Sequence, residues 1–358
     1  MKDFLIIGGG IAGASVAARV APLGSTTLLE GEDALGYHAS GRSAAMFEEQ
    51  YGLPSTIVLN QASAEYHRTA HGGFLSPRGL MLVARPDQAM EFAKDIKSLS
   101  MMPIQKHEAL KHVPILDPAK IGFAAYHEAA YDLDTDRMIQ TFASSARADG
   151  AEILTKQHVT AITRTEQGWR VSTKGEDHEA RILINAAGAW VDEVAKMAGV
   201  RPLGFTPNRR SMARLPAPGE HDISSWPMLM GVEESWYAKP DAGKWLVSPA
   251  EEDPVEPHDA WADDMVLAEG IARYEEMVTE PVTRLETSWA GLRTFSPDRA
   301  LVIGFDVNDP VFFWHAGQGG YGFQTAPAAS QLAADTIAGR APQIDAETVA
   351  ALRPERFA

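Results

Sequence analysis

MKDFLIIGGGIAGASVAARVAPLGSTTLLE, residues 1–30, decides the fold of this chain. Phe4 to Ile7 form an unbroken apolar run, which is typical of a strand that is buried on both faces of a parallel sheet. A glycine-rich turn follows this strand. We expect a helix of small residues over Ala14 to Leu23 and a second buried strand over Thr26 to Leu29. This order predicts the first βαβ unit of a dinucleotide-binding domain.

The turn has the spacing G-x-G-x-x-G, with glycines at positions 8, 10 and 13. We expect Gly8 to make the tight turn, Gly10 to let the backbone approach a pyrophosphate, and Gly13 to let the helix and strand pack closely. The N-terminus of the helix offers free N–H groups and a partial positive charge to the phosphates. Glu30 lies where an acid accepts the ribose hydroxyls, and its charge argues against the 2′-phosphate of NADP.

The chain has 358 residues, a formal net charge of −16, 11 histidines and no cysteine. The length favours two domains over one. The acidic charge disfavours nucleic acid and anionic membrane surfaces as partners, and no apolar stretch is long enough to form an integral membrane segment. The lack of cysteine excludes disulfides and thiolate metal sites, and the histidines form no cluster with metal-ligand spacing. Because the turn begins at Gly8, we expect no signal peptide and a cytoplasmic protein, with peripheral association to the inner face of the membrane left open.

Strand–glycine–helix junctions occur near residues 8, 188 and 320. In an open α/β sheet, such strand ends converge on the ligand. Segments 75–133 and 200–295 are rich in hairpin patterns. The sequence therefore predicts an α/β fold with two domains. A discontinuous, Rossmann-like cofactor-binding domain comprises residues 1–74, 134–199 and 296–358, and the inserted, largely antiparallel α+β substrate domain comprises residues 75–133 and 200–295.

Several local patterns predict further elements. The loop Gly36–Ala45 is mostly small and polar, so we expect it to press against a ligand and to lead into a short helix that Met46 to Gly52 continue. A helix is predicted from Asp134 or Thr135 as N-cap to about Asp149. Lys239 to Gly243 contain a Pro-Asp-x-Gly turn between aromatic-rich runs, which predicts a hairpin.

Runs of sequence in the same order resemble the D-amino-acid oxidase superfamily of flavoproteins, and most nearly the bacterial FAD-dependent D-arginine dehydrogenases. The likeness covers nearly the whole chain. The runs that carry it are Gly41-Arg42-Ser43-Ala44-Ala45, Trp226-Pro227-Met228-Leu229, Tyr237-Ala238-Lys239-Pro240-Asp241-Ala242-Gly243 and Gln318-Gly319-Gly320-Tyr321-Gly322. The resemblance implies that the nucleotide is FAD, which is longer than NAD and would use all three glycine junctions.

By this resemblance, the first βαβ unit contacts the adenine half of FAD, and the loop after it contacts the ribityl chain and flavin. A helix N-terminus after Gly320 is implied near the part of the flavin that becomes anionic on reduction. The implied cofactor residues are Gly8, Gly10, Ile11, Ala12, Gly13, Glu30, Ser40, Arg42, Ser43, Ala44, Ala45, Val159, Ala187, Gly188, Trp190, Gly319, Gly320, Tyr321, Gly322, Gln324 and Thr325.

The resemblance also implies the chemistry, which is oxidative deamination of a free D-amino acid. The α-carbon gives a hydride to flavin N5, and the imine product is hydrolysed to a 2-oxo acid and ammonia. Arg293 is implied as the guanidinium that binds the substrate carboxylate through two parallel hydrogen bonds, with Arg210 as a second arginine. Tyr51 and Tyr237 are implied to lie over the substrate, and the carbonyl of Gly320 to accept its amine.

Three positions depart from the D-arginine dehydrogenases. Leu80 stands where their acid receives the substrate guanidinium, and Met46 and Glu48 replace a His and a Thr. Without that acid, a buried cationic side chain would be unpaired, at a cost of roughly several kcal/mol. We therefore expect apolar or medium-sized side chains to be preferred over D-arginine. Glu48 leaves open the possibility that a cation is bound from another direction.

Other interpretations stay open. The chain could oxidise N-substituted amino acids of the sarcosine or glycine type, as an oxidase or a dehydrogenase. It could be a flavin-binding subunit without chemistry of its own, or an NAD-dependent dehydrogenase, although NAD would not need the C-terminal glycine junction. Arg209 is an alternative to its neighbour Arg210. The favoured interpretation is a D-amino-acid dehydrogenase that passes electrons to a quinone or another carrier.

Overall fold

The computed structural model describes all residues from 1 to 358. The strands are β1 (Lys2–Ile7), β2 (Thr26–Leu29), β3 (Met46–Glu48), β4 (Leu75–Pro77), β5 (Leu80–Ala84), β6 (Met102–Ile104), β7 (Phe123–His127), β8 (Ala130–Leu133), β9 (Glu152–Leu154), β10 (Val159–Arg164), β11 (Trp169–Thr173), β12 (Asp177–Asn185), β13 (Thr206–Leu215), β14 (Met228–Gly231), β15 (Tyr237–Asp241), β16 (Lys244–Ser248), β17 (Asp253–Pro254), β18 (Thr287–Phe295), β19 (Val302–Phe305) and β20 (Phe312–Ala316). The α-helices are α1 (Ile11–Val20), α2 (Pro54–Thr69), α3 (Ala89–Ser98), α4 (Lys106–His112), α5 (Thr135–Ala148), α6 (Val191–Met197), α7 (Asp264–Glu275), α8 (Gly322–Ile337) and α9 (Ala346–Leu352).

The first sheet has a parallel core in the order β9-β2-β1-β12-β20, with β19 antiparallel at its edge. The hairpin β10–β11 joins the start of β12. Phe4 and Ile6 pack against α1, α8 and α9 on one face, whereas Leu5 and Ile7 pack against α6 and the hairpin on the other. Because both faces of β1 are buried, the strand is apolar throughout, as the sequence predicted.

The second sheet is antiparallel except where β14 runs parallel to β5. Its order is β17-β13-β16-β15-β14-β5-β7-β6, and β18 pairs along the other side of β13. Helix α3 covers one face, and α4 and α7 cover the other. The strands come from residues 80–127 and 206–295. The predicted fold class, a parallel α/β sheet with a second, largely antiparallel sheet, is confirmed.

A third, small sheet has the order β3-β8-β4. It corrects one prediction, because Met46 to Glu48 form strand β3 and not the continuation of a helix. Met46 pairs with Asp132 and Glu48 with Ala130, so the backbone hydrogen bonds of this segment go to a strand that lies far away in sequence. A 3₁₀ turn, Ala39–Arg42, occurs earlier, within the loop.

The other local predictions hold with shifted boundaries. Helix α1 begins at Ile11, earlier than expected, because Gly10 serves as its N-cap. The N-cap of α5 is Asp134, whose Oδ1 accepts a hydrogen bond of 3.1 Å from the Arg137 backbone N–H. Strands β15 and β16 form the predicted hairpin. In no part of the chain does a helix combine the length and the apolar character needed to cross a bilayer.

Candidate active site

Two adjoining cavities run along the carboxyl ends of the parallel strands. Both are lined by Gly10, Ser40, Arg42, Gly188 and Gly291. The first cavity extends under the second sheet, and the second extends to the ends of β1 and β2. Together they form one elongated site, which matches the shape of a dinucleotide cofactor.

The glycine turn makes the sharp approach at one side of this site. Gly8 has φ +106°, and a Cβ atom there would lie 2.4 Å from the Ala186 carbonyl oxygen at the end of β12. A Cβ on Gly13 would lie 1.7 Å from the Gly8 carbonyl oxygen, so helix and strand pack as closely as predicted. Gly13 itself does not line either cavity.

Glu30 anchors the same turn. Its Oε2 accepts a 2.6 Å hydrogen bond from the Gly9 backbone N–H, and its Oε1 accepts one of 2.8 Å from Glu32. Each carboxylate oxygen keeps a second lone pair for a ribose hydroxyl. Glu30 lines the second cavity, as do the predicted cofactor residues Gly8, Val159, Ala187, Gly188 and Trp190.

The loop before β3 is fixed against its surroundings. Ser40 Oγ accepts a 3.0 Å hydrogen bond from the Ile11 backbone N–H at the start of α1. Arg42 Nη1 donates to the carbonyl oxygens of Ala260 at 2.8 Å and Ala290 at 2.9 Å, and its Nη2 pairs with Asp259. Arg42 therefore ties the loop to the second sheet with its guanidinium.

The last glycine junction closes the first cavity. Its lining includes Gly319, Gly320, Gly322 and Gln324. The lining also includes predicted cofactor residues from the start of α1 and from the loop before β3, namely Ile11, Ala12, Ser43, Ala44 and Ala45. Tyr321 and Thr325 lie outside both cavities. The Tyr321 ring packs edge-on against Tyr51 at 5.3 Å, and the Thr325 hydroxyl donates to the Tyr321 carbonyl oxygen.

Arg293, on β18, points its guanidinium into the first cavity. It donates no hydrogen bond to any protein group, and its single ion-pair contact is 3.6 Å from Nη1 to Oε1 of Glu234. A Cβ atom on Gly320 would lie 3.0 Å from its Cζ and Nη1 atoms, so this glycine makes room for the guanidinium. The planar fork is thus free to bind a carboxylate through two hydrogen bonds.

Arg210, on β13, is engaged on three sides. Its Nε donates to the Glu251 carbonyl oxygen at 2.9 Å, its Nη1 to Glu234 at 2.7 Å and its Nη2 to Glu252 at 3.1 Å. Arg210 lines the cavity and its alternative Arg209 does not; Arg209 instead pairs with Asp253 at 2.9 Å. Arg293 is therefore the guanidinium with free hydrogen-bonding capacity.

Glu234 is the residue that the sequence did not single out. It lies in the 3₁₀ turn Val232–Glu234 and lines the first cavity. Its Oε2 accepts a 2.7 Å hydrogen bond from the Tyr51 hydroxyl. Burial alone would raise the pKa of Glu234, but Arg210, Arg293 and the Tyr51 hydroxyl hold this pKa below its usual value. Its only sequence signal was an acidic pair between an apolar strand and an aromatic hairpin.

The two predicted tyrosines flank this cluster. Burial, and then the Glu234 carboxylate, raise the pKa of Tyr51 well above its ordinary value, so Tyr51 is a neutral donor. Tyr237 is 2% exposed, and the Arg210 guanidinium lies 5.9 Å from its ring centre. Both tyrosines line the first cavity.

An apolar wall of the first cavity consists of Met46, Leu80, Leu99, Met212, Met228 and Met230. Glu48 also lines this cavity, but its Oε1 accepts a 3.0 Å hydrogen bond from the Gln50 N–H and its Oε2 lies 3.0 Å from Nε2 of His127. The approach to His127 is not a hydrogen bond, so Oε2 of Glu48 is a buried carboxylate oxygen without a hydrogen-bonded partner. Methionine side chains are flexible and fill irregular shapes, so this wall suits apolar groups of varied outline.

A family model described as FAD dependent oxidoreductase matches residues 3–336. The chain belongs to the FAD dependent oxidoreductase family. The hydrogen cyanide synthase subunit HcnC of Pseudomonas aeruginosa is 26% identical over 245 residues, which cover 63% of this chain and 55% of that protein. Mitochondrial dimethylglycine dehydrogenase of Homo sapiens is 24% identical over 390 residues, which cover 99% of this chain and 44% of that protein. The chain thus spans about half the length of these two relatives.

Solved structures of the same fold include L-proline dehydrogenase from P. horikoshii. It superposes with a TM-score of 0.84 at 21% sequence identity, over 99% of this chain and 97% of that chain.

The site of this FAD dependent oxidoreductase fits its cofactor. The elongated double cavity, the glycine turn and the N-termini of α1 and α8 supply the length and the N–H donors that a dinucleotide with a flavin needs. The Glu30 carboxylate lies at the end expected for the adenosine ribose. FAD is therefore the cofactor, and the first cavity also contains the Arg293 guanidinium and the apolar wall.

Proposed function

We propose that this enzyme oxidises free D-amino acids with apolar, medium-sized side chains. The observation that carries the proposal is the Arg293 guanidinium, which has no hydrogen-bonded partner and lies in a cavity that methionine and leucine side chains also line. Bound FAD supplies a two-electron acceptor for the hydride that leaves the substrate α-carbon. The resulting imine is hydrolysed to a 2-oxo acid and ammonia.

The residues of the chain bind and orient the substrate. Arg293 holds the carboxylate in a fixed plane, and a charge-assisted hydrogen bond of this kind contributes about 1.5–3 kcal/mol. The Gly320 carbonyl accepts a hydrogen bond from the substrate amine, and Tyr51 and Tyr237 cover the substrate and exclude water. Arg210 orients Tyr51 through Glu234, and three of its five N–H donors are already hydrogen-bonded to the protein.

The apolar wall supports a preference against D-arginine. Leu80 is 4% exposed and stands next to the cavity, so a guanidinium placed there would lose water without gaining an ion pair. Glu48 keeps the alternative open, because its buried Oε2 accepts no hydrogen bond and a cation that reached it would gain an ion pair. Leucine, methionine and phenylalanine side chains match this wall.

A second candidate substrate class is N-substituted amino acids. Two similar proteins favour it by their names, dimethylglycine dehydrogenase and L-proline dehydrogenase, since both names specify amino acids with a substituted nitrogen. The Arg293 site serves this class equally well, because both classes carry a carboxylate next to the amine. A flavin-binding subunit without its own chemistry is disfavoured by the free Arg293 guanidinium.

We also propose the domain boundaries, the electron acceptor and the cellular location of this enzyme. The cofactor-binding domain comprises residues 1–74, 134–199 and 296–358, and the substrate domain comprises 75–133 and 200–295, in keeping with the residues that supply the two large sheets. The electron acceptor is a quinone or another carrier. The protein is cytoplasmic.

The test is an anaerobic absorption spectrum of the FAD-loaded protein with single amino acids added. D-leucine, D-methionine and D-phenylalanine should bleach the flavin band much faster than D-arginine or the L-enantiomers. Bleaching by sarcosine or N-methyl amino acids, without bleaching by D-amino acids, would replace the first candidate with the second. Turnover of D-arginine at a higher efficiency than D-leucine would refute the pocket assignment.

A further inference from the structure

A carboxylate of the protein stands inside the cavity that is expected to receive the substrate carboxylate. Oε1 of Glu234 lies 2.7 Å from Nη1 of Arg210 and 3.6 Å from Nη1 of Arg293. An acid at this place reduces the attraction for every anionic ligand. A site that only had to bind carboxylates would do better without it.

Glu234 is held in this position by a backbone conformation that residues with side chains rarely adopt. Glu233 has φ 55° and Glu234 has φ 51°, so two successive residues with side chains adopt the left-handed conformation. Oδ2 of Asp95 accepts a 2.6 Å hydrogen bond from the Glu233 N–H and steadies the turn. Strained backbone of this kind persists where the surrounding structure imposes it, and it clusters at functional sites.

The charges around Arg293 leave a single positive charge. Glu252 bridges Arg210 and Arg299, at 3.1 Å and 2.7 Å, and Glu234 pairs with Arg210. Three arginines thus face two acids. The unbalanced charge lies on Arg293, because the guanidiniums of Arg210 and Arg299 both hydrogen-bond to acids whereas that of Arg293 donates no hydrogen bond.

We propose that Glu234 makes the site selective for substrates with one carboxylate. This inference rests on the proposed function, in which Arg293 binds the substrate carboxylate. With Glu234 ionised, one anionic group brings the cluster to neutrality. A second carboxylate, as in D-glutamate or an N-carboxymethyl amino acid, would meet either the like charge of Glu234 or the apolar wall. Glu234 is a specificity-determining residue in this role.

The test uses two unreactive acids of equal length, pentanoate with one carboxylate and glutarate with two. Their dissociation constants are measured by titration of the flavin spectrum of the FAD-loaded protein. The wild-type protein should bind pentanoate at least about tenfold more tightly than glutarate. Glu234→Gln should shift the ratio of the two constants at least about tenfold toward glutarate, because the extra positive charge can then pair with the second carboxylate.

Glu233→Gln is the matched control. It removes one negative charge from the same turn, but the exposed Glu233 carboxylate lies outside the cavity and contacts Lys94, so this variant should keep the wild-type ratio. A ratio that shifts equally in both variants would assign the effect to the charge of the turn and not to Glu234 in the cavity, and would overturn the proposal. Equal binding of pentanoate and glutarate by the wild-type protein would also overturn it, even if Glu234→Gln did not fold. Failure of the proposed function is seen separately, as a flavin that no amino acid bleaches.

Discussion

Gly320→Ala tests how closely the substrate site depends on the position of Arg293. The new Cβ atom would lie 3.0 Å from Cζ and Nη1 of Arg293 and 3.1 Å from its Nε. These contacts are shorter than the favourable range of about 3.5–4.0 Å, so the guanidinium must move by a few tenths of an ångström. The backbone of Gly320 is not in the left-handed region, so an alanine is otherwise tolerated.

A shift of this size misaligns the two hydrogen bonds to the substrate carboxylate. Their loss amounts to about 1.5–3 kcal/mol, which corresponds to a roughly 10- to 150-fold increase in the dissociation constant. The assay is titration of the FAD-loaded protein with pentanoate, followed by the flavin spectrum. Gly175→Ala is the control, because a Cβ atom there meets nothing within 4 Å. A dissociation constant for Gly320→Ala within twofold of wild type would refute the placement of the carboxylate on Arg293.

Three further predictions concern specificity, cofactor binding and stability. Leu80→Glu should raise the catalytic efficiency with D-arginine relative to D-leucine by at least about tenfold, because the new carboxylate can pair with the substrate guanidinium. Leu80→Gln is the uncharged control. An unchanged ratio of the two efficiencies in steady-state kinetics would show that Leu80 does not contact the substrate side chain. Arg42→Met should weaken FAD binding more than Asp259→Asn. It removes the hydrogen bonds to Ala260 and Ala290 as well as the ion pair with Asp259, and an exposed ion pair contributes only about 0–1 kcal/mol. The fluorescence of released flavin measures FAD affinity in both variants, and equal losses of affinity would contradict this ranking. Burial lowers the pKa of His67 to about 4, so its folded state binds fewer protons than the unfolded chain, and the stability it contributes above pH 6.5 is lost as the pH falls toward 4. Between pH 7 and 4.5 the wild-type FAD-loaded protein should lose about 2–3 kcal/mol more unfolding free energy than His67→Gln, measured with urea.

The first βαβ unit could be predicted from sequence because its signals are local. The apolar run of β1, the glycine turn and the acid after β2 lie within residues 1–30, and each has its own physical cause. The hairpin of β15 and β16 was predictable for the same reason, since Gly243 lies in its two-residue turn, although Pro240 belongs to strand β15 and pairs with Trp245. These elements could be predicted because each depends on a sequence pattern of only a few residues.

Features that depend on distant partners could not be predicted. Met46 to Glu48 form a strand because they pair with strand β8, Ala130 to Leu133, and no sequence pattern near residue 46 indicates this pairing. Glu234 meets Tyr51 across 183 positions of sequence and Arg210 across 24. Arg42 lines both cavities, and its guanidinium binds the carbonyls of two residues more than 200 positions away, which no local pattern indicates. Family resemblance located Arg293 and Arg210, and the contacts alone distinguish the free guanidinium from the occupied one.

The most direct measurement compares D-leucine with 3-methylbutan-1-amine, which is leucine without its carboxylate, as anaerobic reductants of the flavin. Wild-type protein should prefer D-leucine by at least about 10-fold, and Arg293→Met should lose most of that preference, because the preference comes from the carboxylate–guanidinium contact. Arg209→Met is the control, since Arg209 lies outside the cavity, and it should keep the preference. If Arg293→Met still favours D-leucine as strongly as the wild-type protein, Arg293 does not bind the substrate carboxylate and the proposed function loses its principal support.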